Sequence, residues 1–311
     1  MKILCVNLNA AIDKTIVIEN FSLDAIHRPR AVLAQGGGKG ANVARVVTVL
    51  GGAPIVTGFV GGWAGRFIET QLRREQIATA FVRVPGESRT CLSILDPARR
   101  TLTEIYERGE PIPRAALREL RVQYRARLSR CAMVTLSGSL PANVPATFYA
   151  DLIALARKNA IPVLLDSSGD ALRLGLAARP LLIKPNRAEL RALVQRELAT
   201  LDAVADAACQ IARAYQTIVV ASLGARGAIA AQDDHIWRAT IPKIQTVSAV
   251  GSGDAMLAGL AISFTRGAPL ENALRLGTAA GAANARTLGA GRLKKIDLRR
   301  LMNQIKIEKI A

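Results

Sequence analysis

The stretch "CAMVTLSGSLPANVPATFYADLIALARKNAIPVLLDSSG", residues 131–169, decides the architecture. Its two ends, "CAMVTLSGS" and "IPVLLDSSG", are short runs rich in Val, Ile and Leu that close on small, turn-forming residues, as strands buried on both faces do. Between them, "VPATFYADLIALARKNA" carries apolar residues at helical spacing. The rhythm continues through "LLIKPN", the helix-period "LDAVADAACQIARAYQ" and "TIVVASLG", residues 181–224. Strand and helix in alternation imply parallel strands joined by right-handed crossovers. The expected fold class is therefore α/β: a doubly wound, mainly parallel sheet flanked by helices. Ligands of such sheets bind beyond the carboxyl ends of the strands, which sets Ser137, Asp166, Asn186 and Ser222 along one rim.

Two earlier segments break the rhythm. Residues 13–35, "DKTIVIENFSLDAIHRPRAVLAQ", and 81–106, "FVRVPGESRTCLSILDPARRTLTEIY", read as short strands with turns at "PGES" and "DPARR". They predict a small β-sheet inserted over the rim, a natural lid where water must be excluded; the alternative is edge strands of the main sheet. The chain has 311 residues, half of them hydrophobic, with neither repeat nor linker, and is read as one domain over 1–311. Cys5, Cys91, Cys131 and Cys209 stand far apart with no histidine cluster, which suggests neither a zinc site nor a disulfide framework and fits a reducing cytoplasm. No apolar run approaches a membrane span and the start has no cleavage-site pattern, so neither membrane insertion nor export is expected. The net charge of +18 admits a polyanion-binding surface or an enzyme with phosphorylated substrates. With aromatics at 4% and Arg and Lys dispersed along the chain, the second reading is favoured and no nucleic-acid partner is expected.

The loop "QGGGKGANVARVVTVLGG", residues 35–52, matches G-x-G-x-x-A at Gly36, Gly38 and Ala41. The acid that a dinucleotide fold needs about 20 residues on is missing, and Lys39 is followed by Gly40 instead of the Ser or Thr of a Walker loop. What survives is a turn opening a helix with free N–H groups, with Lys39 and Asn42 able to reach a polar ligand. In "TVSAVGSGDAMLAGLAISF", residues 246–264, Asp254 stands between a glycine turn and a helix apolar nearly all round. An acid in the first turn of a helix is often only a dipole partner worth about 0.3–1 kcal/mol. Gly251 and Gly253 shift the balance, because they bare backbone amides that suit phosphoryl oxygens. A carboxylate beside an anion hole is what phosphorylation of a hydroxyl needs, Asp254 accepting the proton and the amides of Gly251, Ser252 and Gly253 holding developing charge.

At these residues the chain resembles the ribokinase-like PfkB carbohydrate kinases, and most of all their phosphofructokinase and tagatose-6-phosphate kinase branch. The likeness rests on "LNAAID", "GGGKGANVA", "GFVGGWAG", "LSGSLP", "LLDSSGDAL", "LIKPNRAEL", "ASLGARGA" and "VGSGDAMLAG", in the family's order. It implies a ribokinase-like fold with a β lid, ATP and Mg²⁺ as cofactors, a monovalent cation under the anion loop as in some relatives, and a homodimer through the lid sheets. It puts sugar hydroxyls on Asp13, Gly38 and Asn42 with Lys39 beside them, and the substrate's own phosphate on Arg89 and, more weakly, Arg28. Ser137 joins the substrate side. Lys184, Asn186, Ser222, Gly224 and Gly227 would line the nucleotide site, and Asn186 with Glu189 would organise magnesium indirectly. Each has a plain rival: a solvated surface charge for the arginines and Glu189, a simple chain turn for Ser222 and the glycines.

The chain departs from the family pattern at Ala10 and Gly36, each in place of a usual proline, and at Ser252, in place of an alanine. In "TEIYERGEP", residues 103–111, Tyr106, Glu107 and Arg108 alter a lid strand that faces the substrate. The expected reaction is phosphorylation of a ketohexose phosphate, fructose 1-phosphate first, with fructose 6-phosphate and tagatose 6-phosphate as alternatives. A non-catalytic sugar-phosphate or nucleic-acid binding protein is the reading from another class, and a nucleoside kinase, for which Arg89 would lack a purpose, is a third.

Overall fold

The computed structural model describes residues 1–310. The chain runs β1 (Lys2–Asn7), β2 (Ala11–Val17), β3 (Ala31–Gly37), α1 (Lys39–Val49), β4 (Ala53–Gly61), α2 (Gly62–Arg74), β5 (Ala78–Val84), β6 (Arg89–Asp96) and β7 (Thr101–Tyr106). There follow α3 (Arg114–Leu128), β8 (Met133–Ser137), α4 (Phe148–Lys158), β9 (Val163–Asp166), α5 (Gly169–Ala177), β10 (Leu182–Ile183), α6 (Arg187–Val194), α7 (Leu201–Tyr215) and β11 (Ile218–Ser222). It ends with β12 (Ala228–Gln232), β13 (His235–Thr240), α8 (Ser252–Thr265), α9 (Leu270–Ala285), α10 (Lys295–Gln304) and β14 (Lys306–Lys309).

Among the described residues ten strands make one sheet in the order β14-β13-β12-β11-β10-β9-β8-β1-β4-β5. Strands β5 through β11 of that order pair in parallel, as the apolar runs predict, and their buried sequences, "MVTLS" in β8 and "VLLD" in β9, show why: helices cover both faces. The remaining three strands add an antiparallel meander. One core, built on Leu4, Val6, Leu136 and Leu165, lies against α3, α4, α5 and α7; the other, on Ile3, Cys5, Leu164 and Val220, lies against α1, α8 and α9. Helix α8 is buried along nearly its whole length, and Gly259 meets Gly277 of α9 so closely that a Cβ there would stand 2.7 Å from its Cα.

The inserted sheet is present, with strand order β3-β2-β6-β7. Its boundaries differ from the expectation at one place: residues 81–84 finish β5 at the edge of the main sheet, and the small sheet takes over only from Arg89. The tetrapeptide "PGES" is thus the crossing between the sheets and not a hairpin turn. Ser88 pins that crossing by accepting from Gly61 N and donating its own N–H to Gly61 O, at 3.0 and 3.1 Å. Asp96 locks the small sheet at its far end, its carboxylate accepting from the backbone N–H groups of Asn20, Phe21, Ala98 and Arg99.

Candidate active site

From β1 the chain steps outward through β4 and β5, then returns to β8 on the other side of β1. The carboxyl ends of β1 and β8 therefore flank the switch point at which ligands of such sheets bind. A cleft of about 690 Å³ opens there, lined from below by Asn7, Ser137, Asp166, Lys184 and Asp254 and from above by the small sheet. Alternate residues of a strand share one face, and the lid residues on the cleft obey that period: Asp13 and Thr15, Arg89, Cys91 and Ser93, Leu102, Glu104 and Tyr106. Cross-strand register sets Asp13, Cys91 and Tyr106 in one row and Thr15, Ser93 and Glu104 in the next.

Asp254 is buried in the first turn of α8, and Asn42 of α1 donates to its Oδ2 at 2.9 Å. Burial pushes its carboxyl up to about 7; Lys39 pulls the other way, and the nearby Asp166 adds to the rise. Gly251, just before the helix, has φ 79°, and a Cβ on it would come within 2.7 Å of Gly291 N and 2.8 Å of Ala290. Only glycine allows the turn to lie so close to the loop after α9. Gly253 is bare for another reason, since a Cβ there would stand 3.2 Å from Lys184 Nζ. An ammonium thus reaches the start of α8, where free amides already favour an anion.

That ammonium belongs to a charged trio. Asp166 Oδ2 stands 3.1 Å from Lys184 Nζ and its Oδ1 3.5 Å from Lys39 Nζ. Burial opposes ionisation of Asp166, yet the two lysines hold its carboxyl below the usual carboxylate range, and Asp166 in turn raises the Lys39 ammonium above its ordinary value. Two cations and one anion leave a net positive charge facing the cleft. The sequence put Asp166 on the rim without a role; its two partners arrive from distant segments.

On the lid side, Asp13 Oδ2 accepts from Gly38 N at 3.3 Å, and burial raises its carboxyl despite Arg45 and Arg89 nearby. Gly38 has φ 95° and abuts Asn7, whose amide takes Gly40 N on its oxygen and donates to Gly37 O. Asn7 shapes this glycine loop and was missed in the sequence, where an Asn at a strand end carries no mark of its own. Arg89 donates to Asn9 O and Glu107 O, which fixes its guanidinium at the cleft wall. Tyr106 donates to Glu104, so the altered lid strand presents a hydroxyl and a carboxylate to the cleft.

Lys184, Asn186, Glu189 and Ser222 also line the cleft. Asn186 and Glu189 form a capping box, Glu189 N donating to Asn186 Oδ1 at 2.9 Å and Asn186 N to Glu189 Oε2 at 2.8 Å. Four residues singled out from the sequence stand outside the lining. Arg28 is exposed in the loop between β2 and β3. Gly224 opens a 3-10 turn, and Gly227, at φ 93°, passes so near Ala239 O that no Cβ fits. The Ser252 side chain points back to Asn284, which donates to it at 3.3 Å, and its N–H, expected in the anion hole, is instead donated to Ala249 O at 3.1 Å, which leaves the hole to the amides of Gly251 and Gly253. Among the described residues no three His, Cys, Asp or Glu side chains gather into a metal cage, and no helix is long and apolar enough to cross a membrane.

The chain is similar in sequence and fold to known proteins. The 1-phosphofructokinase of Rhodobacter capsulatus is 38% identical over 280 residues, 90% of this chain and 89% of its own. The tagatose-6-phosphate kinase of Staphylococcus epidermidis is 32% identical over 309 residues, 98% of this chain and 99% of its own. Phosphofructokinase-2 from Escherichia coli in complex with substrates and products superposes with a TM-score of 0.90 at 29% identity, covering 98% of this chain and 99% of that one. The same enzyme solved with potassium (TM-score 0.88, 28% identity) and in a tetrameric inhibited form (0.89, 30%) covers 97% of this chain and 98% of its own. The family model for pfkB family carbohydrate kinases matches residues 6–296. By sequence and fold, the chain belongs to the pfkB family of carbohydrate kinases.

Proposed function

We propose that this kinase transfers the γ-phosphate of ATP to the free primary hydroxyl of a ketohexose phosphate, with fructose 1-phosphate as the preferred acceptor. One observation carries the reading: the buried Asp254 carboxylate stands at a helix start beside the free amides of Gly251 and Gly253, with the ammonium groups of Lys184 and Lys39 close by. Asp254 takes the proton of the attacking hydroxyl, and its elevated proton affinity suits a base working near neutral pH. Lys184 and the amides stabilise charge on the transferring group, and Lys39 neutralises it from the α1 side. Asp13, held by the Gly38 amide, orients the sugar hydroxyls, Asn42 holds the base, and Arg89 meets the substrate's own phosphate. Closure of the lid face over the cleft excludes water.

Nucleotide binding is assigned to Lys184, Asn186 and Ser222. Asn186 and Glu189 at the cleft would help hold Mg²⁺ together with the nucleotide phosphates, and the ion would supply neutralisation of phosphate charge. The buried, unpartnered Oδ1 of Asn284 behind the anion loop is a neutral oxygen suited to a monovalent cation. We further assign the lid as a dimer surface. Strand β7 is an unpaired edge exposed along its length, and Val32 and Ile105 are more than half exposed. Light scattering on the parent and on Ile105→Lys tests this, a monomeric parent counting against it. For the reaction itself, ADP release is measured with fructose 1-phosphate, fructose 6-phosphate and tagatose 6-phosphate. Fructose 1-phosphate should give the highest kcat/KM, and failure of all three overturns the hexose-phosphate assignment.

A further inference from the structure

Behind Asp254 lies a circuit of polar side chains, three of which, Arg45, Glu75 and Arg292, do not line the cleft. Arg45 of α1 is only 5% exposed, and each of its three nitrogens makes one hydrogen bond. Its Nη1 donates to Asn42 Oδ1 at 3.1 Å, its Nε pairs with Glu75 Oε2 at 2.6 Å, and its Nη2 donates to Gly36 O. Glu75 Oε1 accepts from Arg292 at 2.9 Å; Arg292 also donates to Gln35, and Gln35 to Ala290 O. Ala290 and Gly291 are the residues against which Gly251 packs. The circuit therefore starts at the proposed base and returns to the anion hole.

Its chemistry turns on Asn42. An amide has a donor end and an acceptor end of nearly equal size, and nothing in the side chain itself selects which faces Asp254. A guanidinium only donates, so Arg45 must face the amide oxygen, and the NH₂ is left to face the carboxylate. The flipped amide would set NH₂ against guanidinium and oxygen against carboxylate. Glu75 supports the same arrangement. It is the C-cap of α2, where the helix dipole disfavours an acid, and its two arginine partners account for its presence there.

We propose that Arg45 is a positioning residue for phosphoryl transfer: it locks the Asn42 amide so that Asp254 Oδ2 is held and Oδ1 is left for the acceptor hydroxyl, with Glu75 and Arg292 tying this clamp to the loop beneath the anion hole. The inference rests on Asp254 being the base. Asp254 is faced by Lys39 from α1, Asp166 from β9, Lys184 from the segment after β10 and, across the cleft, Asp13 from β2; Arg45 hydrogen-bonds none of them. Losing the clamp thus leaves those charges in place and removes the amide donor.

The test compares the pH dependence of kcat, and KM for sugar phosphate and for ATP, in the parent, Arg45→Met, Arg45→Lys and Asp254→Asn. In Arg45→Met, kcat at pH 7 should fall about 10-fold and the acidic limb should move up by about one pH unit, with KM changed less than about threefold. Arg45→Lys, still a donor-only cation, should recover most of the loss. Should the Met variant fail to fold, Arg45→Gln carries the test with the same expected shift, because its amide can accept as well as donate. A folded Met or Gln variant with the parent's kcat and acidic limb overturns the clamp. If Asp254→Asn is inactive in that same experiment, the base assignment survives alone; if Asp254→Asn turns over like the parent, base and clamp fall together.

Discussion

Replacing Asp254 by asparagine should make the protein more stable, and more so as the pH rises. In the unfolded chain this carboxyl ionises near 3.8, whereas in the folded protein burial delays ionisation to about 7. Between those values the unfolded chain gives up a proton that the folded one keeps. The folded state is therefore unpenalised below the unfolded value, loses stability as pH climbs from there through about 7, and carries the full loss above. Three pH units at 1.36 kcal/mol each set a ceiling of about 4 kcal/mol. With about 2.1 cal/mol/K per residue, a chain of 311 residues unfolds with an entropy of about 0.65 kcal/mol/K, so the ceiling corresponds to a Tm gain of about 6 °C. Scanning calorimetry of parent and Asp254→Asn at pH 5 and pH 8 reads it directly. The gain at pH 5 should be less than half that at pH 8. A variant no more stable than the parent at pH 8, or a gain independent of pH, would refute the argument that the site keeps this carboxylate at a cost in stability.

Three further variants probe the surroundings. Gly253→Ala puts a methyl group 3.2 Å from Lys184 Nζ, the free end of a flexible chain; Tm should stay within about 2 °C while kcat drops about 10-fold, and an unchanged kcat would remove Lys184 from the transferring phosphate. Gly251→Ala combines φ 79° with backbone contacts under 3 Å; a loss of about 2–4 kcal/mol in urea unfolding is expected, and a neutral effect would mean that the loop after α9 yields easily. Arg89→Ala should raise KM for the sugar phosphate about 10- to 100-fold, the worth of one charge-assisted hydrogen bond set, while KM for ATP stays put; equal values for parent and variant would favour an acceptor without a phosphate.

The parallel body of the fold was legible because its strands are buried on both faces and so read as plain apolar runs between helical periods. The antiparallel end was less so. Strand β14, "KIEK", is mostly exposed; it is held by pairing with β13 and by Ile307 against the core, contacts with no local signature. The start of the small sheet is not legible in the sequence because β5 and β6 are both short extended runs, and four residues of turn do not say which sheet each joins. Within the site, Asp254 announced itself through two glycines and a buried helix, all within a few residues. Asp166 could not do so, since Lys39 is 127 residues away and the pair exists only after folding. The Arg45 circuit is harder still: Arg292 reaches Glu75 across 217 residues, and each member alone looks like one more charge on a basic chain. Asn186 with Glu189 follows from the family resemblance, and the structure shows the pair to be a capping box of α6 that also lines the cleft.

The proposed phosphoryl transfer turns on one proton acceptor, Asp254, at the start of α8. Single-turnover phosphoryl transfer to fructose 1-phosphate, measured at pH 8 with Asp254→Asn and the parent at saturating ATP, tests it with least interference. If Asp254 is the base, the rate in the variant is at least about 100-fold lower, with sugar-phosphate affinity preserved. Transfer at the parent's rate would contradict it.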